Sequence, residues 1–193
     1  RAADVLEEMD PDDAADLLRE IGQEKAQTLL ALMEPEDAED VQRLMRYEDY
    51  SAGGMMTTEP IVLTADSTVA EALSRVRLSE VAPGLASQVF VCRQPLETPT
   101  GRLMGVVHIQ RLLREPPATL LGSILDSDIA PLAAETPLSE VSSYLASYNL
   151  LAVPIVDANE RLLGVVTVDD VLDHLLPENW RQDETKRKES ESR

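Results

Sequence analysis

The sequence predicts an α+β fold in which a short helical-repeat domain precedes two related β-α-β-β-α units. Two internal repeats support this prediction. The motif MDPDDA at residues 9–14 returns 24 residues later as MEPEDA, followed each time by apolar residues at helical spacing. The segment GRLMGVVHIQRLL at residues 101–113 returns 59 residues later as ERLLGVVTVDDVL. A repeated supersecondary unit of this kind indicates a chain built from duplicated pieces.

Residues 1–50 are the predicted helical domain, which begins in the middle of its repeat and is therefore expected to be truncated at its start. Pro11 and Pro35 stand at first helical positions, with acidic residues in the turn that follows. Each repeated helix has one apolar face, formed by Ala14, Leu17, Leu18 and Ile21 or by Ala38, Val41, Leu44 and Met45. Short helices cannot bury such faces alone, so we expect further repeats or a second body to cover them.

Residues 51–117 and 118–176 are the two predicted α/β units. Strands are expected at 61–63, 89–92 and 103–107 in the first unit, and at 152–156 and 162–166 in the second. β-branched runs bounded by turn residues predict that the last two strands of each unit form a hairpin. Helices are expected at 68–78 and 138–148. The first unit carries ten extra residues, around 81–87 and 93–100.

Composition excludes several classes of protein. The formal charge is −19, and it is divided unevenly: residues 1–50 carry −11, residues 51–117 carry zero and residues 118–176 carry −8. Because a surface this acidic repels phosphate groups, we expect no nucleic-acid partner. No apolar run reaches the roughly 18 residues that a membrane-spanning helix needs. The single cysteine, Cys92, indicates a reducing compartment. No catalytic set is recognisable, and we expect no enzyme.

The two α/β units resemble a tandem pair of cystathionine-β-synthase (CBS) domains, because each ends in Gly-apolar-apolar-x followed by a helix. Three sequence segments make the resemblance more specific: YEDYSAGGMMT at residues 47–57, YNLLAVPIVD at 148–157 and TVDDVLD at 167–173. An acidic helical repeat followed by such a pair is similar to the cytosolic region of MgtE-type magnesium transporters. The resemblance covers about residues 1–176 and implies Mg²⁺ as the ligand.

The resemblance also implies metal positions. In this family regulatory magnesium lies between the acidic helical domain and the CBS pair, which places candidate ligands at Asp12 and Asp16 and at Asp170 and Asp173. A further family acid falls at Asn149, whose amide oxygen can still coordinate. Mg²⁺ prefers oxygen ligands and keeps several waters, so one or two carboxylates suffice. From spacing alone, Asp12 and Asp16 also fit simple stabilisation of a helix N-terminus.

Thr167 and Asp170 have a second interpretation. Resemblance to CBS domains implies an adenine nucleotide, ATP or AMP, with the hydroxyl facing a phosphate and the carboxylate holding the ribose. The same Thr-x-x-Asp spacing is a capping box at a helix start, which needs no ligand. In the first unit the matching positions are His108 and Arg111, so at most one such nucleotide site is expected.

The preferred hypothesis is a cytoplasmic regulatory module, at the membrane face if the parent chain carries a pore, in which Mg²⁺ closes two acidic bodies. The alternatives are a nucleotide-binding CBS module and an interaction scaffold without a ligand. The resemblance implies a homodimer through the CBS units and a membrane pore domain as partner, whereas Pro177 favours a homologue without a pore. The polar tail, residues 177–193, is expected to be disordered.

Overall fold

The helical domain consists of four helices. The computed structural model describes residues 2–79 and 81–176, so the predicted tail lies outside the described residues. The helices are α1 (Ala2–Glu7), α2 (Pro11–Ile21), α3 (Gln23–Leu30) and α4 (Pro35–Leu44). The repeated helices α2 and α4 both begin at proline, as predicted. Their apolar faces are largely buried, with Ile21 and Met45 partly buried, and Leu17 is 40% exposed because it lies at the rim of a cleft.

A short helix, α5 (Ala52–Met55), leads from the helical domain into the CBS pair. Ser51 caps it, since the Ser51 hydroxyl accepts a hydrogen bond from the Gly54 N–H. The chain crosses at once to the second unit, where the Ala52 N–H donates to the Thr136 carbonyl at 2.7 Å. Gly54 has no room for a side chain, because a Cβ there would lie 2.1 Å from the Glu48 carbonyl oxygen.

Both α/β units have the predicted β-α-β-β-α order. The first contains β1 (Val62–Leu63), α6 (Val69–Val76), α7 (Pro83–Ala86), β2 (Gln88–Cys92), β3 (Leu103–His108) and α8 (Ile109–Leu112). The second contains β4 (Leu132–Ala133), α9 (Leu138–Tyr148), β5 (Ala152–Val156), β6 (Leu162–Thr167) and α10 (Val168–Leu175). In each sheet the first strand is parallel to the middle strand, and the middle strand is antiparallel to the last. The predicted fold class is confirmed, and α7 lies in the predicted insertion.

The two units exchange the segments that precede their first strands. Thr57 pairs with Val165 of the second sheet, and Asp126 pairs with Val106 of the first. The glycine that opens each Gly-apolar-apolar motif makes room for this exchange, because a Cβ on Gly164 would lie 2.5 Å from the Thr57 carbonyl oxygen. The units therefore interlock across the predicted boundary at 117/118.

The helical domain shares one hydrophobic core with the second unit. Buried residues of α2 and α4, such as Leu18 and Leu44, belong to the same cluster as Val141, Ile155 and Val166. The first unit has a core of its own around Val89 and Val107. The −11 block thus packs directly on the −8 block. Within residues 2–79 and 81–176, no helix is long and apolar enough to span a bilayer.

Candidate metal centre

Asp12 and Asp170 lie close together where the helical domain meets the second CBS unit. Asp12 is in the first turn of α2, and Asp170 is in the first turn of α10. Burial raises the pKa of Asp12 from 3.8 to about 8, with further upward contributions from Asp170 and Asp13. Burial also raises the pKa of Asp170, to about 6, against the opposing effect of hydrogen bonds from Thr167. Packing therefore presses two carboxyl groups together at the junction.

The two carboxyl groups differ in their hydrogen bonding. Asp170 Oδ2 accepts from the Thr167 N–H at 2.7 Å and from the Thr167 hydroxyl at 2.9 Å. Asp12 Oδ1 is buried, and no described residue donates a hydrogen bond to it. An unsatisfied buried carboxylate oxygen costs free energy that a bound cation or a proton offsets. Hard oxygen donors of this kind fit Mg²⁺, and the residues present therefore suit the ion that the sequence implies.

A cleft of about 530 Å³ opens beside this pair. Its lining includes five carboxylates: Asp13, Asp16, Glu20, Asp49 and Asp173. His174 forms part of the wall, with Nδ1 2.9 Å from the Asp170 carbonyl oxygen and Nε2 3.9 Å from Asp16 Oδ2. Tyr50 stacks edge-on against the His174 ring, with centroids 5.7 Å apart. The cleft is strongly acidic and open to solvent cations.

Asp16, one of the cleft acids, is held by Arg19. Its Oδ1 accepts a hydrogen bond from Arg19 Nη1 at 2.7 Å. Burial raises the pKa of Asp16, while His174 and then Arg19 act in the opposite direction. Four of the predicted metal residues, Asp12, Asp16, Asp170 and Asp173, thus lie at one domain junction.

The junction is not a closed cage for a metal ion. Over the described ranges, no three or more His, Cys, Asp or Glu side chains are grouped so as to hold a metal. Mg²⁺ does not require such a cage, because it retains most of its water and bridges between few protein oxygens. The four carboxylates remain predicted ligands.

Asn149 lies elsewhere. It ends α9 in the left-handed conformation (φ 52°, ψ 40°), a role to which asparagine is well suited. It lines a second cavity, of about 570 Å³, between the two CBS units. The structure therefore groups four of the five predicted metal residues and places Asn149 in the wall of a different cavity.

Thr167 and Asp170 form the capping box that their spacing allows. The Thr167 hydroxyl accepts from the Asp170 N–H at 3.3 Å, while the Asp170 carboxylate accepts from the Thr167 N–H. Thr167 is 5% exposed. The inserted helix α7 covers it, since a Cβ on Gly84 would lie 3.2 Å from Thr167 Cβ. Both groups predicted to hold a nucleotide are thus engaged by the chain itself, and nucleotide binding there stays a prediction.

The equivalent place in the first unit is open. His108 occupies the threonine position and lines the 570 Å³ cavity together with Tyr148, Asp126 and Asp128. Residues 148–151, which precede β5, form one wall of this cavity. They occupy the same place in the second unit as α7, which precedes β2, does in the first unit. Arg111, at the aspartate position, is paired with Glu115 at 2.7 Å. Thr167 is therefore covered by the chain, whereas its counterpart His108 lines an open cavity.

Two residues of the junction were missed by sequence reasoning. His174 carries no signal beyond its place in the last turn of an acidic helix. Arg19 does carry one: Asp16-x-x-Arg19 returns as Asp40-x-x-Arg43 at the same 24-residue offset as the helical repeat. Both copies form the pair, at 2.7 Å each.

Comparison with protein families matches three segments of the chain. Residues 1–50 match the MgtE intracellular N domain, and residues 48–118 and 121–177 match the CBS domain. Magnesium transporter MgtE of Thermus thermophilus is 34% identical over 129 residues, and that of Enterococcus faecalis is 33% identical over 127. These stretches cover 67% and 66% of this chain but 28% and 27% of the transporters. The match spans little more than a quarter of the length of these curated relatives.

Two solved structures share the whole arrangement. The soluble part of a magnesium transporter has a TM-score of 0.80 at 32% identity, over 90% of this chain and 66% of the other. The cytosolic domain of the Mg²⁺ channel MgtE in complex with ATP has a TM-score of 0.77 at 33% identity, over 89% and 68%. Both the helical domain and the CBS pair therefore have counterparts of known structure.

Proposed function

Since this chain belongs to the MgtE family, joining an MgtE intracellular N domain to a pair of CBS domains, we propose that it is a cytoplasmic regulatory module that senses Mg²⁺. In this proposal, cation binding closes the helical domain onto the second CBS unit. The role is regulatory rather than catalytic, and its output passes to a membrane pore domain of the parent transporter.

The observation that carries the proposal is the unpartnered Oδ1 of Asp12 beside Asp170. Closing the junction without a cation costs free energy in either protonation state: Asp12 takes up a proton, since its pKa rises to about 8, or two ionised carboxylates about 6 Å apart repel by roughly 3 kcal/mol at an effective dielectric constant near 20. Asp13, Asp16 and Asp173 add to this repulsion at the same junction. A divalent cation replaces repulsion by attraction to both sides, so it favours the closed arrangement over the open one.

Several weak sites together can supply the free energy that the proposed closure needs. Moving a two-state equilibrium from mostly open to mostly closed takes about 5.5 kcal/mol of differential binding. Asp12 with Asp170 and Asp16 with Asp173 offer two groups of oxygens between which that free energy can be divided. A sensor built in this way responds over a narrow range of cation concentration.

Small-angle X-ray scattering tests the proposal directly. The radius of gyration of the whole chain is measured from no MgCl₂ to ~20 mM at constant ionic strength. We expect compaction with MgCl₂ and a weaker response from Asp12→Asn. Glu36→Gln is the matched control, because Glu36 is the counterpart of Asp12 in the second repeat and is exposed. A radius of gyration that is unchanged by MgCl₂ contradicts the proposal.

A second copy of the chain is the proposed structural partner. Leucines on CBS helices remain exposed: Leu113 is 67% exposed at the end of α8, and Leu172 and Leu175 on α10 are 45% and 58% exposed. Apolar side chains placed in this way are typical of a surface that another protein covers. A homodimer through the CBS helices would bury them.

Adenine-nucleotide binding is a second candidate function, favoured by the 570 Å³ cavity with its neighbouring Tyr144 and Tyr148 rings. Aromatic faces suit a stacked base, whereas Asp126 and Asp128 repel free phosphates. A nucleotide there is expected to need accompanying Mg²⁺. Calorimetry with MgCl₂ and then with ATP or AMP separates the candidates, since an interaction scaffold without a ligand gives no heat with either.

A further inference from the structure

Arg19 makes an unusually complete set of contacts at the domain junction. Its Nε lies 2.8 Å from Asp49 Oδ1, and its Nη1 lies 2.7 Å from Asp16 Oδ1. The other donors reach backbone carbonyls: Leu44 at 2.8 Å, Tyr47 at 3.3 Å and Gly54 at 3.4 Å. The guanidinium has five N–H donors and makes five contacts, with 14% of the side chain exposed.

These contacts join four parts of the chain. They run from α2 to the end of α4, to the connecting turn and to α5, which is itself bonded to the second CBS unit. Among the described residues that line the cleft, Arg19 is the one arginine or lysine facing five carboxylates. Its guanidinium is therefore held inside the acidic cleft by contacts on several sides.

We propose that Arg19 is an internal cation of the junction: it orients Asp16, offsets part of the acidic charge and so reduces the number of Mg²⁺ ions needed for closure. It is a positioning residue rather than a ligand. The inference rests on the proposed Mg²⁺-sensing function. A guanidinium is suited to this task because it stays charged and holds carboxylates with a rigid fork.

The helical repeat supplies a matched comparison. Arg43 stands 24 residues after Arg19, pairs with Asp40 at 2.7 Å and donates to the Thr98 carbonyl at 3.1 Å. It has the same helical position, the same acidic partner and a similar reach into the CBS pair. Arg43 lies outside the acidic cleft. If substitutions of Arg19 and Arg43 have different effects, the difference is due to the position of Arg19 in the acidic cleft. It is not due to the loss of an arginine in general.

The test follows domain closure by fluorescence transfer between dyes on Thr28→Cys and Ser74→Cys, which are exposed on α3 and α6. The native Cys92 stays unlabelled, because burial protects it and raises its thiol pKa to about 11. The closed-to-open ratio is measured in EDTA and against MgCl₂. The slope of its logarithm against log [Mg²⁺] gives the number of ions taken up on closure.

For Arg19→Met we expect the closed-to-open ratio in EDTA to fall about tenfold, from the loss of two partly buried charge pairs. We expect the slope to rise by about half an ion, since Mg²⁺ carries two charges. Arg19→Lys keeps the charge and should keep the wild-type slope. Arg43→Met should lower the melting temperature and leave the slope unchanged.

The outcomes are distinguishable. A wild-type protein that does not respond to MgCl₂ refutes the Mg²⁺-sensing function itself. A normal wild-type response with an unchanged Arg19→Met slope refutes the role of Arg19 alone. An equal rise in slope for Arg43→Met also refutes it, because the effect would then reflect net charge and not position. A circular dichroism spectrum and melting temperature for each variant establish that it is folded.

Discussion

Asp12→Asn is expected to stabilise the metal-free protein at neutral pH. The pKa of Asp12 rises from 3.8 to about 8 on folding, so the folded protein binds this proton more tightly than the unfolded chain does. Between those two pH values, stability therefore falls as pH rises, by about 1.36 kcal/mol per pH unit. Asparagine cannot ionise, and its amide can donate to the Asp170 carboxylate.

The magnitude follows from the pH interval. From pH 5.5 to pH 7.5, Asp12 accounts for a loss of about 2.7 kcal/mol. Asp170, with a pKa of about 6, adds about 0.7 kcal/mol over the same interval, and the substitution leaves that part in place. At roughly 2–4 °C per kcal/mol for a chain of this size, the melting temperature should differ by about 5–10 °C.

Differential scanning calorimetry in EDTA at the two pH values measures this effect. The wild-type melting temperature should fall between pH 5.5 and pH 7.5, and that of Asp12→Asn should fall much less. Glu36→Gln, at the equivalent exposed position of the second repeat, should follow the wild type. A ¹³C carboxyl titration gives the pKa of Asp12 independently. Parallel pH profiles, together with an Asp12 pKa near 4, would refute the reasoning.

Three further predictions follow from other parts of the structure. Asp173→Asn should weaken Mg²⁺ binding more than nucleotide binding in calorimetry, because Asp173 lines the acidic cleft and not the cavity between the CBS units. Gly54→Ala should destabilise the protein by about 3 kcal/mol in urea unfolding, since the added methyl group meets the Glu48 carbonyl oxygen. Leu172→Glu should convert the proposed dimer to a 21.2 kDa monomer in light scattering, with a stability change within about 0.5 kcal/mol, because Leu172 is already exposed in one copy.

Local features of the fold could be predicted from the sequence because their causes are local. Pro11 and Pro35 begin their helices since proline fits the first helical turn, and Thr167 with Asp170 forms a capping box at the predicted spacing. Leu17 departs from its predicted apolar face because the neighbouring domain leaves a cleft there. Which faces are covered depends on domain packing, and helical spacing contains no information about that.

The candidate site could be predicted only in part. That Asp12 lies near Asp170 was implied by family resemblance, since the two residues are far apart in the chain and share no motif. Arg19 was visible as a repeated Asp-x-x-Arg pair. Three of its five partners are backbone carbonyls. Every residue has a backbone carbonyl, so the sequence does not indicate which of them Arg19 contacts. The position of the inserted residues could not be predicted either. Their contact with Thr167 joins residues that are far apart in the sequence.

The inserted helix α7 has a consequence for ligand competition. A segment of the protein's own chain that packs over Thr167 acts as a tethered occupant, and short tethers correspond to effective concentrations in the millimolar range. A small molecule can contact the side chain of Thr167 only by displacing this segment, which never diffuses away. The duplicated units are therefore unequal in a thermodynamic sense: one half must exchange its own chain for a ligand, whereas the other offers an open cavity.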